Sequence, residues 1–367
     1  MCSLSFAVLF QAANMVPNGV LLREKQFVAI GGRIIVSSLV AGTVAIVMAV
    51  AGFGVYALIA NNVLQVLINF VWNAVGTGMR TRVSGIRLAL KRVGNFSVFQ
   101  FLSQLVQYLA RNVDNFAIGI ILGSNALGYY SNAYKLAKYP IDVVPNTLNP
   151  VLRTFYGSMK DDKKTFYQTY LSVEKVLSLV GVFLSVFCFF ASKELVLLFF
   201  GSSWTASVPL FRALSVSIVF QMVNFTFGSV LEATRQTRSL FRSTLVSTTI
   251  IVILLGIGLW TKNLAITSIL ISLGLILYTL PVLYYVVHVA FQKSIIEHLS
   301  HFKFELLSSS ILSMLYAVLW NFFPDNLIAS FAMKLVLGAI TYIVLLKLGG
   351  QMRYLKMLLP SKKSNAH

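Results

Sequence analysis

Five charged residues lie inside two apolar segments of the chain: Arg111 and Asp114 in the first, and Lys135, Lys138 and Asp142 in the second. A charged side chain at the centre of a bilayer costs roughly 2.5–3.5 kcal/mol on insertion scales, so such residues face a protein interior or a water path. Arg111 with Asp114, and Lys138 with Asp142, have the spacing of ion pairs within one helix. We expect this cationic set to bind a phosphate or an acidic sugar; the alternative is that both pairs only fasten helices together.

Uncharged polar residues extend these stripes along the same helix faces. Residues three and four apart share one face of a helix, and several such stripes can line one aqueous cavity. The polar residues that we expect to line it are Gln104, Gln107, Asn14, Gln65 and Asn69.

Three prolines, Pro140, Pro145 and Pro150, recur every five residues in the segment that carries Lys135. Proline removes a helical hydrogen bond and bends the helix. We therefore expect either a hinge that moves when access to the cavity changes, or a static kink.

The elements that position these residues are predicted to be membrane helices. The chain is 57% hydrophobic and only 11% charged, with a mean hydropathy of +0.80. Soluble domains carry about 25% charged residues, so a soluble enzyme is excluded. A spanning helix needs about 20 apolar residues. The sequence predicts an all-α polytopic bundle of about eleven such helices, near 4–22, 28–51, 53–75, 95–122, 128–152, 166–191, 207–231, 240–260, 264–291, 305–323 and 327–348.

The net charge of +19 indicates topology rather than nucleic-acid binding. Lys and Arg concentrate in the loops after odd-numbered spans, with Arg33 assigned to the first of them, while the other loops hold only Lys193 and Lys262. Cytoplasmic loops carry the excess of cations, so the C-terminus is predicted to be cytoplasmic. Charged residues near span ends are expected to reach the membrane surface; these are Glu174, Lys175, Arg212 and Lys334.

A weak internal repeat indicates two related lobes. Phe10-Gln11-x-x-Asn14 recurs as Phe220-Gln221-x-x-Asn224, 210 residues later. Such repeats are common in transporters, although two apolar helices also match by chance. We expect a remainder of the first lobe at 1–93, a six-helix lobe at 94–300, and two additional helices with a basic tail at 301–367. The opening helices of the first lobe would then precede Met1.

Catalytic motifs are not found in the sequence. It contains no phosphate-binding loop, no HExxH and no GxSxG, and its two cysteines, Cys2 and Cys188, do not form a metal-ligand pattern. We expect neither enzymatic activity nor a cofactor or metal.

The segment around the charged residues resembles a known family. The runs RNVDNFAIGIILGSNALGYY from Arg111, SNAYKLAKYP from Ser131, PNTLNPVLRTF from Pro145 and GFGVYAL from Gly52 are similar to the Wzx-type polysaccharide exporters. These belong to the multidrug/oligosaccharidyl-lipid/polysaccharide flippase superfamily, and the colanic-acid exporters are the nearest type that the runs suggest.

The resemblance implies two six-helix lobes around a cationic cavity. It implies transport of an undecaprenyl-diphosphate-linked oligosaccharide across the bacterial inner membrane by alternating access. The partners that it implies are membrane lipids, a polysaccharide polymerase and chain-length machinery. On that map the chain begins at the fourth helix of the family. Two alternatives stay open: a cation-coupled drug antiporter of the same superfamily, which would need an acidic cavity, and a non-functional remnant.

Overall fold

The computed structural model describes residues 2–23, 27–76, 112–158, 162–234 and 236–355. The chain forms two compact units, Met1–Leu102 and Ser103–His367. Throughout the described ranges the regular secondary structure is helical, with no strand among them. This confirms the predicted all-α fold class.

The first unit contains three long helices, α1 (Cys2–Arg23), α2 (Phe27–Val50) and α3 (Val55–Gly76). The turn between α2 and α3 is tight because Gly52 adopts a positive φ of 85°, a conformation that side chains with a Cβ rarely adopt. Both α1 and α2 pack along α3. Polar residues on the three helices can therefore meet in the middle of this unit.

The second unit begins with a hairpin of α4 (Val113–Ile121) and α5 (Ser124–Ser158). Gly123 has a φ of 89° at the corner, which lets the chain reverse within two residues. Next is α6 (Lys163–Phe190), whose first turn is capped by the Asp162 carboxylate.

A bent and irregular group of helices completes the middle of the second unit. A 51° bend separates α8 from α9, and a π-helix of seven residues follows α12. In chain order these elements are α7 (Ser192–Phe200), α8 (Ser207–Ser215), α9 (Ile218–Ala233), α10 (Thr237–Trp260), α11 (Leu264–Leu277), α12 (Thr279–Leu283) and the π-helix Tyr284–Ala290.

The last helices pack on the outside of α6. They are α13 (Ile295–Ser300), α14 (Lys303–Val318), α15 (Leu327–Leu348) and the short α16 (Met352–Leu355). The buried Tyr342 of α15 donates a hydrogen bond of 2.7 Å to the Leu179 carbonyl of α6. The buried Tyr316 and Leu346 and the partly buried Phe183 fill the contact.

Six described helices are long and apolar enough to cross a membrane, or seven if the bent pair of α8 and α9 is one span. The total of eleven stays a prediction, because most of the fourth predicted span, 95–122, lies outside the described residues. The three-part division at 93 and 300 also stays a prediction.

The helix bounds follow the 210-residue repeat. Both ends of α2 recur in α10, at 27–50 and 237–260. The ends of α1 and α9, Arg23 and Ala233, have the same offset. The start of α11 lies within one residue of the position that the start of α3 predicts. Only α2 and α10 also agree in length, at 24 residues each, so the two related lobes stay a prediction.

Candidate functional site

One face of α5 is exposed and charged. Lys135, Lys138, Tyr139 and Asp142 are all exposed, and their spacing of three and four residues places them on one side of the helix. The opposite side is buried in the core of the second unit, for example at Ala137. We call Lys135, Lys138 and Asp142 the charged stripe.

The predicted ion pair within the charged stripe, Lys138 with Asp142, is present, but its charged groups are not in close contact. The Lys138 Nζ lies 4.0 Å from the Asp142 Oδ2, and the two side chains are 54% and 56% exposed. Lys135 forms no ion pair with any residue that the structure describes. The stripe thus presents a net charge of +1 and has unfilled hydrogen-bond donors.

Asp114 belongs to a different environment from the charged stripe. It is 9% exposed, and its Oδ2 accepts a hydrogen bond of 2.7 Å from the hydroxyl of the fully buried Tyr130. Tyr134 stacks on Tyr130 with ring centroids 5.8 Å apart. The single site of five charges stays a prediction. The close packing of α4 on α5 turns Asp114 toward a tyrosine. Its proposed partner Arg111, like Gln104 and Gln107, lies outside the described residues.

The predicted hinge prolines lie on the same helix as the charged stripe. The backbone is helical from Ser124 to Ser158 and includes Pro140, Pro145 and Pro150. The side chains of residues 144–158 are outside the described set, so the hinge role stays a prediction.

The first unit contains a buried cluster of amides around a cation. The Arg33 Nη1 donates to the Asn73 Oδ1, and its Nη1 and Nη2 lie 3.4 and 3.3 Å from the Asn18 Oδ1. The Asn73 Nδ2 donates to the Asn14 Oδ1 at 2.7 Å. Arg33 is 5% exposed and Asn73 is fully buried. We call these four residues the amide cluster.

Two further predicted polar residues lie on α3 beside the amide cluster. The Gln65 Nε2 donates to the Ser38 hydroxyl at 2.7 Å. Asn69, one turn before Asn73, has a buried Oδ1 with no hydrogen-bond partner among the described residues. The polar faces predicted for the first and third spans therefore do meet within this unit at Asn14 and Asn73.

The placement of Arg33 in a cytoplasmic loop is wrong. Arg33 lies within α2 and inside the membrane-length segment Ile30–Val50. The predicted span of 28–51 already contained Arg33, so counting Arg33 among the loop cations conflicted with the apolar pattern of that span.

Glu174 and Lys175 do not extend outward from their helix, as was expected of side chains that reach the membrane surface, because they are buried against other helices. They are 2% and 6% exposed. The Lys175 Nζ lies 2.6 Å from the Glu305 Oε2, and Glu305 also accepts from the Ser178 hydroxyl at 2.8 Å. The His298 Nε2 lies 3.2 Å from the Glu174 Oε2. These buried pairs join α6 to α13 and α14.

A third buried pair joins α7 to α15, so the Lys334 side chain does not extend outward from its helix as expected. The Lys334 Nζ lies 2.6 Å from the Glu194 Oε1, and the two side chains are 4% and 6% exposed. The Ser330 hydroxyl donates to the same oxygen at 2.7 Å. Arg212 nearby donates to the Ser192 hydroxyl at 3.1 Å and remains partly exposed.

A cavity of about 610 Å³ lies within the second unit, between α6, α9 and α14. Glu174, His298 and Glu305 line part of it, and most of the remaining wall is apolar, with Val182, Phe220 and others. These three residues, which also belong to the buried pairs, thus form part of the cavity wall.

The chain matches a family model described as polysaccharide biosynthesis protein over residues 1–209. Among curated proteins it is similar to the teichuronic acid biosynthesis protein TuaB of Bacillus subtilis (strain 168), with 28% identity over 144 residues, 39% of this chain and 30% of that protein. The succinoglycan biosynthesis transport protein ExoT of Rhizobium meliloti (strain 1021) is 21% identical over 214 residues, 58% of this chain and 43% of that protein. The matches span less than half the length of these relatives.

A solved structure of the lipid II flippase MurJ in an inward closed conformation has the same fold. Its TM-score is 0.63 at 14% sequence identity, and the match covers 88% of this chain and 68% of that chain. At this level of identity the likeness shows the fold alone.

Proposed function

Because the chain belongs to the polysaccharide biosynthesis protein family, we propose that it moves a lipid-linked oligosaccharide across a membrane as a transporter. The substrate proposed is an undecaprenyl-diphosphate-linked repeat unit of an O-antigen, capsule or exopolysaccharide. The site proposed is the charged stripe, and the movement proposed is alternating access. The membrane proposed is the bacterial inner membrane, with the C-terminus in the cytoplasm.

The observation that carries this proposal is the exposure of the charged stripe. Lys135, Lys138 and Asp142 lie on a long helix of a multi-pass membrane protein and are not covered by the rest of their unit. Exposed charges on such a helix are not tolerated against lipid, so they point to a water-filled path. A stripe with excess positive charge suits an anionic diphosphate or acidic sugar.

The sign of the charge also favours this function over drug antiport. A cation-coupled drug antiporter needs acidic residues along its path. Among the described residues of α5, the exposed charges are two lysines and one aspartate, which already lies beside Lys138. The family match to polysaccharide biosynthesis proteins supports the same choice.

The test is movement of substrate in reconstituted vesicles. The full chain is placed in proteoliposomes with a fluorescent undecaprenyl-diphosphate-linked oligosaccharide, and a membrane-impermeant quencher reports how much label has left the outer leaflet. We expect movement above that of protein-free vesicles, and a loss of it in Lys135→Ala/Lys138→Ala. The matched control is Lys262→Ala, which changes an exposed lysine in the turn after α10. Movement no faster than in protein-free vesicles would overturn the proposal.

A further inference from the structure

Arg33 carries a buried positive charge that no carboxylate balances among the described residues. Its hydrogen-bond acceptors among the described residues are the amide oxygens of Asn18 and Asn73. Glu24 is the only acidic residue in the sequence before Asp114. A buried cation without a counter-ion is expensive inside a membrane protein and marks a functional site by default.

The Arg33 guanidinium also has hydrogen-bonding capacity that the described residues do not use. Its Nε is buried and has no hydrogen-bond partner among the described residues. The two contacts with Asn18, at 3.3 and 3.4 Å, are long for a charge-assisted bond, which is normally about 2.7–2.9 Å. A stronger acceptor can therefore replace Asn18 without breaking the bond to Asn73.

The helix that lies 210 residues later in the chain, α10, has no such charge at the position equivalent to Arg33. At the 210-residue offset, Asn14 corresponds to Asn224 and Asn69 to Thr279, and the Asn224 Nδ2 donates to the Thr279 hydroxyl at 3.0 Å. The position of Arg33 is occupied by Ser243, which is fully buried and donates to the Leu240 carbonyl.

At this offset a polar contact lies between α9 and α12, and a small neutral residue stands where the first unit has the cation. The helix α10, which has the same length as α2, packs with serine at that position. Helix packing alone therefore does not explain the positive charge of Arg33 in the first unit.

We propose that Arg33 is an anion-binding residue of the first unit, with the amide cluster holding its guanidinium in place to receive a phosphoryl oxygen. The ligand class is a phosphate or diphosphate ester on a lipid. A planar guanidinium with free donors matches the oxygens of such a group. The identity of the lipid as the transported substrate rests on the proposed function, while the anion chemistry of Arg33 does not.

The experiment measures lipid binding by the purified full chain in detergent. Undecaprenyl diphosphate is compared with undecaprenol, which has the same chain but no phosphate, for the wild type, Arg33→Ser and Arg33→Lys. Arg33→Ser copies the residue of the repeat. We expect Arg33→Ser to bind undecaprenyl diphosphate about tenfold to a hundredfold more weakly, to bind undecaprenol unchanged, and Arg33→Lys to be intermediate.

Competition identifies the source of the anion. Displacement by inorganic diphosphate supports recognition of the phosphoryl group itself, and displacement by phosphatidylglycerol micelles assigns the site to a bulk lipid headgroup. Equal affinity of wild type and Arg33→Ser for undecaprenyl diphosphate overturns the inference. If Arg33→Ser does not fold, the wild type still tests it: no preference for undecaprenyl diphosphate over undecaprenol, or a preference unaffected by ionic strength, overturns it.

Glu24→Gln is the control for a hidden ion pair. If Glu24 were the counter-ion of Arg33, this variant would lower the thermal stability as much as Arg33→Ser does, and the inference would be wrong. Unchanged stability supports it. Phosphate-dependent binding without transport in vesicles would reject the proposed function but leave Arg33 as an anion site. Full transport by Arg33→Ser would reject the anion-binding role of Arg33 but leave the proposed function standing.

Discussion

The charged residues of the second unit lie in two contrasting environments, one buried and one exposed. Where α6 and α7 meet the last helices, Lys175 and Lys334 lie within 2.6 Å of Glu305 and Glu194 and are almost fully buried. Along α5, the nearest approach between opposite charges is the 4.0 Å of Lys138 and Asp142, with both side chains more than half exposed.

The difference separates charges that hold helices together from charges that remain available to a ligand. In a short buried pair with extra hydrogen bonds, the donors and acceptors are already occupied by contacts within the protein. Removing one member of such a pair leaves an uncompensated buried charge. An exposed pair contributes little to stability because water screens it, so its members can exchange partners at low cost.

The largest effect is expected from breaking a buried pair. Lys175→Met leaves the carboxylate of Glu305 buried without its cation, and we expect a loss of about 3–5 kcal/mol in unfolding free energy. Thermal unfolding of the purified protein in detergent measures it. In the double variant Lys175→Met/Glu305→Met we expect most of the stability to return, since neither position then holds an uncompensated charge. A double variant less stable than the single one would contradict the role assigned to the pair.

A smaller effect is expected at Asp114, which is buried like the ion pairs but is held by a neutral partner. Tyr130→Phe removes the hydroxyl that donates to the Asp114 carboxylate at 2.7 Å. We expect a loss of about 1–3 kcal/mol, the cost of leaving a buried acceptor without its donor. Tyr134→Phe is the matched control, because the Tyr134 hydroxyl donates no hydrogen bond to a described residue. Equal losses in the two variants would show that the hydroxyl of Tyr130 contributes nothing specific.

Features set by residues close together in the sequence were predicted, whereas contacts between residues far apart in the sequence were missed. Apolar runs predicted helices at 28–51 and 327–348, and the structure has them at 27–50 and 327–348. The spacing of Lys138 and Asp142 predicted their pair because both lie on one helix.

The buried pairs were beyond such reasoning. Lys175 and Glu305 are 130 residues apart, and nothing local identifies one as the partner of the other. For the same reason, the hydrogen bond between Asp114 and Tyr130 on the next helix was not predicted, whereas the pairing of Asp114 with Arg111 stays a prediction. Partners on other helices are fixed by packing, which a single sequence does not display.

A still smaller effect on stability is expected within the charged stripe. Lys138→Ala breaks the 4.0 Å pair with Asp142, and we expect a change of about 0.5 kcal/mol or less in unfolding free energy. If the stripe contacts an anionic substrate, transport in vesicles falls about tenfold in the same variant. The opposite pattern, a large loss of stability with normal transport, would place Lys138 with the helix-fastening residues.

The smallest effect is expected at the exposed start of α6, the helix that carries Glu174 and Lys175 further along. Asp162 accepts hydrogen bonds from the Thr165 hydroxyl and from the backbone of Thr165 and Lys164, and these bonds hold the pKa of its carboxyl below the ordinary value. A lowered pKa in the folded state means that the stabilisation is present above the unfolded pKa of about 4 and is lost as the pH falls through the folded value. Hydrogen exchange at the Lys164 and Thr165 amides should therefore be slow and unaffected between pH 7 and pH 5, after correction for the intrinsic rate, and lose protection only under stronger acid. Asp162→Asn keeps a capping oxygen but has no titrating group, so protection that still falls under acid in this variant would assign the loss to another residue.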